Sequence, residues 1–290
     1  MGVAVFGVFV VLVEIYFGWA RLLAPWGTLP AGQIIAAVAL VFVSYWTRAV
    51  RQYDYFRDEM SGAFGVCFKV MLQHNLLNNL LPMRSGELSF PVLMARHFDI
   101  PVMRSVPALF WFRILDLHTL GACALVAMFA WNVPLMLALL AAWMLLPPTL
   151  FWGSGRWLKA LNGQSHTRLR GVLKKTLGSL PQTPRGFWRS WIWTVITWGV
   201  KLGVFAWVLS LFVDVSAAAA LMGVIAGDLT SVLPVHGVAG MGTYEAGVVA
   251  GLLPYGVTAQ AALPAAVNVH LFLLGSTLVG GAFSLLLGKR

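Results

Sequence analysis

The chain has 290 residues, 59% of them hydrophobic and only 10% charged, and its mean hydropathy is +0.81. No water-soluble domain of this size tolerates that balance, so a soluble enzyme or binding module is excluded and the bilayer becomes the main solvent. The net charge of +10 does not indicate nucleic acid, because it gathers at one membrane surface instead of covering the face of a soluble fold.

A helix needs about 20 mainly apolar residues to cross the hydrocarbon, and helices are the default there because isolated strands leave their backbone unsatisfied. The first such stretch, Val3 to Leu22, lacks a basic leader region, contains Glu14 and is followed by no small-residue cleavage signal. It is therefore expected to be a retained span and not a signal peptide. Further spans are expected at Gln33 to Val50, Val106 to Phe129, Pro134 to Trp152, Trp191 to Phe212 and Leu263 to Leu287. Two apolar stretches do not read as simple crossings. Residues 61–97 are interrupted by Asn75, Asn78, Asn79, Pro82, Arg84, Gly86 and Glu87, and residues 217–253 by Asp228, Thr230, Pro234, His236, Gly237, Gly240, Gly242 and Glu245. Each is expected to enter the membrane, break near a Leu-Pro step and return to the side it came from.

Between 154 and 190 the chain carries Arg156, Lys159, Arg168, Arg170, Lys174, Lys175, Arg185 and Arg189 with no Asp or Glu, which marks a cytoplasmic loop. Residues 166–180 form either an amphipathic helix on the leaflet surface or a plain solvated segment. Six spans then place Arg48, Arg51, Arg57, Arg104 and both termini on the cytoplasmic side of an inner membrane. Under this arrangement the two hairpins open to opposite sides. The expected fold class is an all-α polytopic membrane protein, one transmembrane domain over 1–290, with six full spans, two oppositely oriented re-entrant hairpins and an inverted repeat. Transporters of that kind hold substrate near the midplane, among broken helices.

Charges at bilayer depth are costly and point to function. Arg113 and Asp116 are three apart, so they share a helix face and either neutralise each other or hold a ligand. Arg84 and Glu87 bracket Gly86 at the start of a returning half-helix, where free N–H groups favour an anion. The planar guanidinium of Arg84 suits a phosphate. Lys201 falls near mid-depth and is a further phosphate contact. His236 stands in the second hairpin where Arg84 stands in the first, as a phosphate donor, a proton carrier or a neutral core histidine. Glu245 either carries a coupled proton or ties its hairpin down. The substrate-binding set is thus Arg84, Glu87, Arg113, Asp116, Lys201, His236 and Glu245. Cys67 and Cys123 have no metal or redox spacing, and no nucleotide-binding loop or metalloprotease motif occurs. No catalytic residue, cofactor or metal is expected.

The ordered motifs Asn79-Leu80-Leu81-Pro82-Met83-Arg84-Ser85-Gly86-Glu87, Arg113-Ile114-Leu115-Asp116 and Leu233-Pro234 with Gly240-Met241-Gly242-Thr243-Tyr244-Glu245-Ala246 resemble the flippase-like transmembrane region of lysylphosphatidylglycerol synthases and their stand-alone relatives. The resemblance spans nearly the whole chain and implies a membrane domain that handles lipids. It departs from the family where a second arginine often follows the Gly-Glu pair and this chain has Ser89, Phe90 and Pro91. Because the sequence stops at Arg290, just after the last expected span, aminoacyl transfer is not expected. The partners are then a membrane lipid with an anionic or phosphate head group, with a lipid-modifying enzyme and a second copy of the chain as further classes. The leading expectation is a lipid translocase; the alternatives are an integral-membrane enzyme acting on a lipid and a scaffold that recruits a synthase through the basic loop.

Overall fold

A computed structural model describes residues 2–149, 151–153, 181, 183–230 and 238–288, with side chains for all of these except 2–6, 9, 82–84 and 238. Every regular element among the described residues is helical. Five helices are long and apolar enough to cross a membrane: Ala31–Tyr55, Val102–Phe129, Val133–Gly153, Pro184–Ser210 and Ala259–Leu286. The sixth expected span is two pieces, α1 (Gly2–Tyr16) and α2 (Trp19–Leu23), parted at Gly18, whose φ of 72° only glycine adopts readily. Asn268 secures this broken segment by donating to the Leu22 carbonyl at 3.0 Å and accepting from Trp26 Nε1 at 2.6 Å.

The long helices begin where local chemistry dictates. Asn132 accepts the Leu135 N–H ahead of α7 (Val133–Met144, continuing as helix to 149). Thr183 accepts the Gly186 N–H ahead of α8 (Pro184–Ser210), and Thr258 accepts the Ala261 N–H ahead of α11 (Ala259–Leu286). Each cap satisfies one of the N–H groups that a helix start leaves free. α3 (Ala31–Tyr55) and α6 (Val102–Phe129) start directly after Pro30 and Pro101.

The two interrupted stretches fold back on themselves. In hairpin A, α4 (Phe64–Leu80) ends at Leu81, a tight turn runs over Pro82–Leu88, and α5 (Ser89–Phe98) returns along α4. Pro82 has no N–H to continue the α4 ladder, which puts the break at the Leu-Pro step. Gly86 lies so close to α4 that a β-carbon there would overlap the Leu77 carbonyl oxygen and the Asn78 α-carbon. Gly86→Ala should therefore lower the unfolding free energy by about 1–3 kcal/mol, read as a lower midpoint in denaturant titration of the purified protein; an unchanged midpoint would refute that packing.

Hairpin B consists of α9 (Ala217–Thr230) and α10 (Thr243–Leu252). Its arms meet along a seam of glycines. A β-carbon on Gly247 would lie 2.6 Å from the Ala226 carbonyl oxygen, and one on Gly251 2.7 Å from that of Met222. On the facing arm, β-carbons on Gly227 and Gly223 would lie 2.7 Å from Val248 and 3.1 Å from Leu252. Spacing of four puts each glycine pair on one helix face, so the two backbones touch; small residues mediate close membrane-helix contacts in the same way.

The helices form two like units, α3–hairpin A–α6 and α8–hairpin B–α11. α3 packs on α8, and each hairpin packs on the closing helix of the other unit, α4 on α11 and α9 on α6. Ser44 Oγ donates to the Thr197 carbonyl and Arg51 Nη1 to Thr194 Oγ1, while Trp26 meets Phe212, so α3 and α8 run antiparallel. Equivalent helices side by side in opposite directions are what an inverted repeat requires. Both closing helices also carry a proline at their sixth residue, Pro107 in α6 and Pro264 in α11. α7 stands outside the repeat, clasped to α6: His118 Nε2 donates to the Trp143 carbonyl at 3.0 Å, and Trp143 Nε1 donates back to the His118 carbonyl at 2.8 Å. That exchange gives His118 a structural reason to be there.

Candidate functional site

The breaks of hairpins A and B come against each other, and beside them lies a polar cavity of about 120 Å³. Its walls come from α3, α4, α6, α8, α9, α10 and α11, so both units of the repeat contribute. Asn75, Asn78 and Asn79 of α4 line it, with Asn79 held by Thr277 Oγ1 at 2.9 Å. Asn78 keeps a buried Oδ1 with no hydrogen-bond partner among the described residues.

One wall is a chain of alternating charges. Asp116 is buried and accepts from Arg51 Nη1 at 2.7 Å, Trp198 Nε1 at 2.8 Å and Arg113 Nη1 at 3.2 Å. Arg51 also donates to Thr194 Oγ1 at 2.8 Å and stacks its guanidinium 4.6 Å from the Phe112 ring centroid. Arg113 continues the chain, with Nε 3.0 Å from Glu87 Oε1. A carboxylate between two guanidiniums replaces the water that burial removes, which is the condition for keeping such charges in an apolar bundle. On the other side, Lys201 pairs with Asp228 at 2.8 Å and lies over the Trp198 ring at 4.6 Å.

Arg48 differs from these cations. It lines the cavity, and its Nη1 donates to Asn75 Oδ1 at 3.2 Å, but no carboxylate of a described residue comes within 4.0 Å of it. A half-buried guanidinium bonded only to a neutral amide retains most of its capacity to bind an anion.

Behind the hairpin B break lies a third group. Glu245 Oε2 accepts the Gly242 N–H at 2.7 Å, closing the start of α10, and Oε1 meets His270 Nδ1 at 2.7 Å. The His270 ring stacks on Tyr244 with centroids 4.4 Å apart. The chain bends sharply just ahead of this group: Ala239, Gly240 and Gly242 have φ of 54°, 76° and 86°.

Of the residues singled out from sequence, Glu87, Arg113, Asp116 and Lys201 converge on the cavity region, and Glu245 reaches it through His270. His236 and the Arg84 side chain lie outside what the structure describes, as does most of the basic loop at 154–190. Sequence reasoning used Arg48 and Arg51 as markers of the cytoplasmic surface. They are instead part of the site, because α3 continues to Tyr55 and Arg51 is only 4% exposed. The available signal was that Asn75, Arg113 and Asp116 needed partners of opposite character at similar depth. His270 belongs to the site without any sequence signal of its own, since its pairing with Glu245 spans 25 positions and has no local signature.

The sequence model of the family described as lysylphosphatidylglycerol synthase TM region matches residues 1–281. No curated protein matches the chain.

Proposed function

The chain belongs to the lysylphosphatidylglycerol synthase transmembrane-region family, and from that premise we propose that it is a lipid translocase carrying an anionic, phosphate-bearing head group between leaflets of the inner membrane. The observation that carries this reading is Arg48, a half-buried cation facing a polar cavity where two broken hairpins meet, bonded among the described residues only to a neutral amide. Arg48 takes the phosphate, with Arg113 and Lys201 close enough to share it as their own carboxylates yield. Glu87, Asp116 and Asp228 keep those cations soluble in the bundle while the cavity is empty. Acyl chains stay in lipid, and the two antiparallel units rock about the cavity to expose it to each side in turn. This assigns transport and not covalent chemistry to the chain, with the lipid as its partner.

The test is translocation of a fluorescent phosphatidylglycerol in proteoliposomes, followed by quenching of the outer-leaflet probe. A hydrogen bond to a charged group contributes about 1.5–3 kcal/mol, so Arg48→Ala should slow translocation roughly 10- to 100-fold while the protein still purifies folded. Arg48→Lys should fall between, because an ammonium keeps the charge but not the planar fork. Equal rates in all three would remove the assignment.

A further inference from the structure

The Glu245 and His270 pair is not needed to hold a head group, yet it is among the most deeply buried ionisable pairs in the molecule, with side chains 2% and 3% exposed. It separates two cavities of opposite character. His270 and Tyr244 line the polar central cavity. Glu245 and Gly242 line a second cavity, of about 350 Å³, whose other walls are Leu12 and Val13 of α1, Phe17 just after it, Val249 of α10 and Leu263 of α11. Among the described residues the Glu245 carboxylate is held by the Gly242 N–H and by the imidazole.

A carboxylate only accepts, so with the imidazole neutral the shared hydrogen resides on His270 Nδ1, leaving Nε2 without one. We propose that Glu245 and His270 form a proton-binding site coupled to anion binding in the central cavity, the proton landing on His270 Nε2 as the head group arrives. The proposal rests on the translocase reading. One proton comes from solvent, and the pair passes from net negative to neutral. An arriving anion favours that step because it stabilises a nearby positive charge. The groups that face the pair are Tyr244, stacked on the imidazole, and, across the central cavity that His270 lines, Asp228 of α9, Lys201 of α8 and Arg48 of α3. The Glu245 cap on Gly242 links the site to the bend at 239–242, so a change of charge acts where hairpin B breaks.

The experiment is titration calorimetry of the purified full chain with dioctanoyl phosphatidylglycerol, in two buffers of different ionisation heat. Near pH 7.5 the wild type should take up as much as about one proton per lipid bound, and affinity should rise as pH falls through the neutral range, because the lipid-bound form holds the proton more tightly. Both His270→Gln and Glu245→Gln should bring the proton number per bound lipid close to zero. A merely structural hydrogen bond would change how much lipid binds but not the protons per lipid. Lipid binding by wild type with no proton uptake and no pH dependence overturns the proton site alone. Uptake that persists in either variant also overturns it. Failure of the wild type to bind the lipid at any pH overturns the translocase reading and this inference with it.

Discussion

Asp116→Ala is expected to be the most destabilising single substitution in the ionic wall. Removing that carboxylate takes three donors' partner away at once and leaves Arg51, only 4% exposed, without an acid. Orphaning one member of a buried pair costs about 3–5 kcal/mol, a large part of the stability of a typical domain. Arg113 suffers less, since Glu87 still stands beside it. The loss is measured as the shift in unfolding free energy by denaturant titration in micelles. A companion variant separates charge from packing: Arg51→Met with Asp116→Leu removes the orphan together with its partner and should recover at least half of the loss. A double variant no more stable than Asp116→Ala would show that the cost arises elsewhere.

The second large effect is expected at the glycine seam. Gly251→Leu must place a side chain where even a β-carbon would stand 2.7 Å from the Met222 carbonyl oxygen and 2.9 Å from the Gly223 α-carbon. Backbone atoms cannot rotate out of the way, so the arms of hairpin B must part, and the variant should fail to yield monodisperse protein. Gly251→Ala should fold, with a loss of about 1–3 kcal/mol from overpacking. Gly203→Ala on α8 provides the contrast, because nothing lies within 4 Å of a β-carbon there. Its expected change is neutral to about 1 kcal/mol more stable, from helix propensity alone. If both alanine variants behaved alike, the backbone contact across hairpin B would be refuted.

The fold was legible where the sequence itself carries the physics. Pro82 removes a backbone donor, so a break near the Leu81-Pro82 step was legible, and the polar interruptions from Asn75 to Glu87 marked the stretch as more than a simple crossing. Arg113 and Asp116 could be paired from spacing alone, since three residues is nearly one helical turn. Legibility failed where two rules competed. The bias of basic residues toward the cytoplasm explained Arg48 and Arg51 so economically that their depth in α3 went unread, although a helix whose stripe of small and polar residues continues past them does not end there. The glycine seam stands in the sequence as two four-residue spacings, Gly223 with Gly227 and Gly247 with Gly251, but only the packed arms bring the two pairs face to face. Lys201 with Asp228 and Glu245 with His270 join positions 27 and 25 residues apart on different helices; only the packed bundle creates those pairs.

The two hairpins differ in mechanical character. The arms of hairpin B touch backbone to backbone at Gly247 and Gly251, with the side chains of Val248 and Leu252 seated on Gly227 and Gly223 of the facing arm. Parting them means lifting backbone off backbone. The arms of hairpin A touch backbone at Gly86 and otherwise meet through side chains, His74 with Ser89 at 2.9 Å and with the Phe90 ring, and its turn leaves Leu81 and Leu88 41% and 70% exposed. Hairpin A, whose contacts can change rotamer, is therefore expected to yield to a lipid that forces the cavity wider before the glycine seam of hairpin B does.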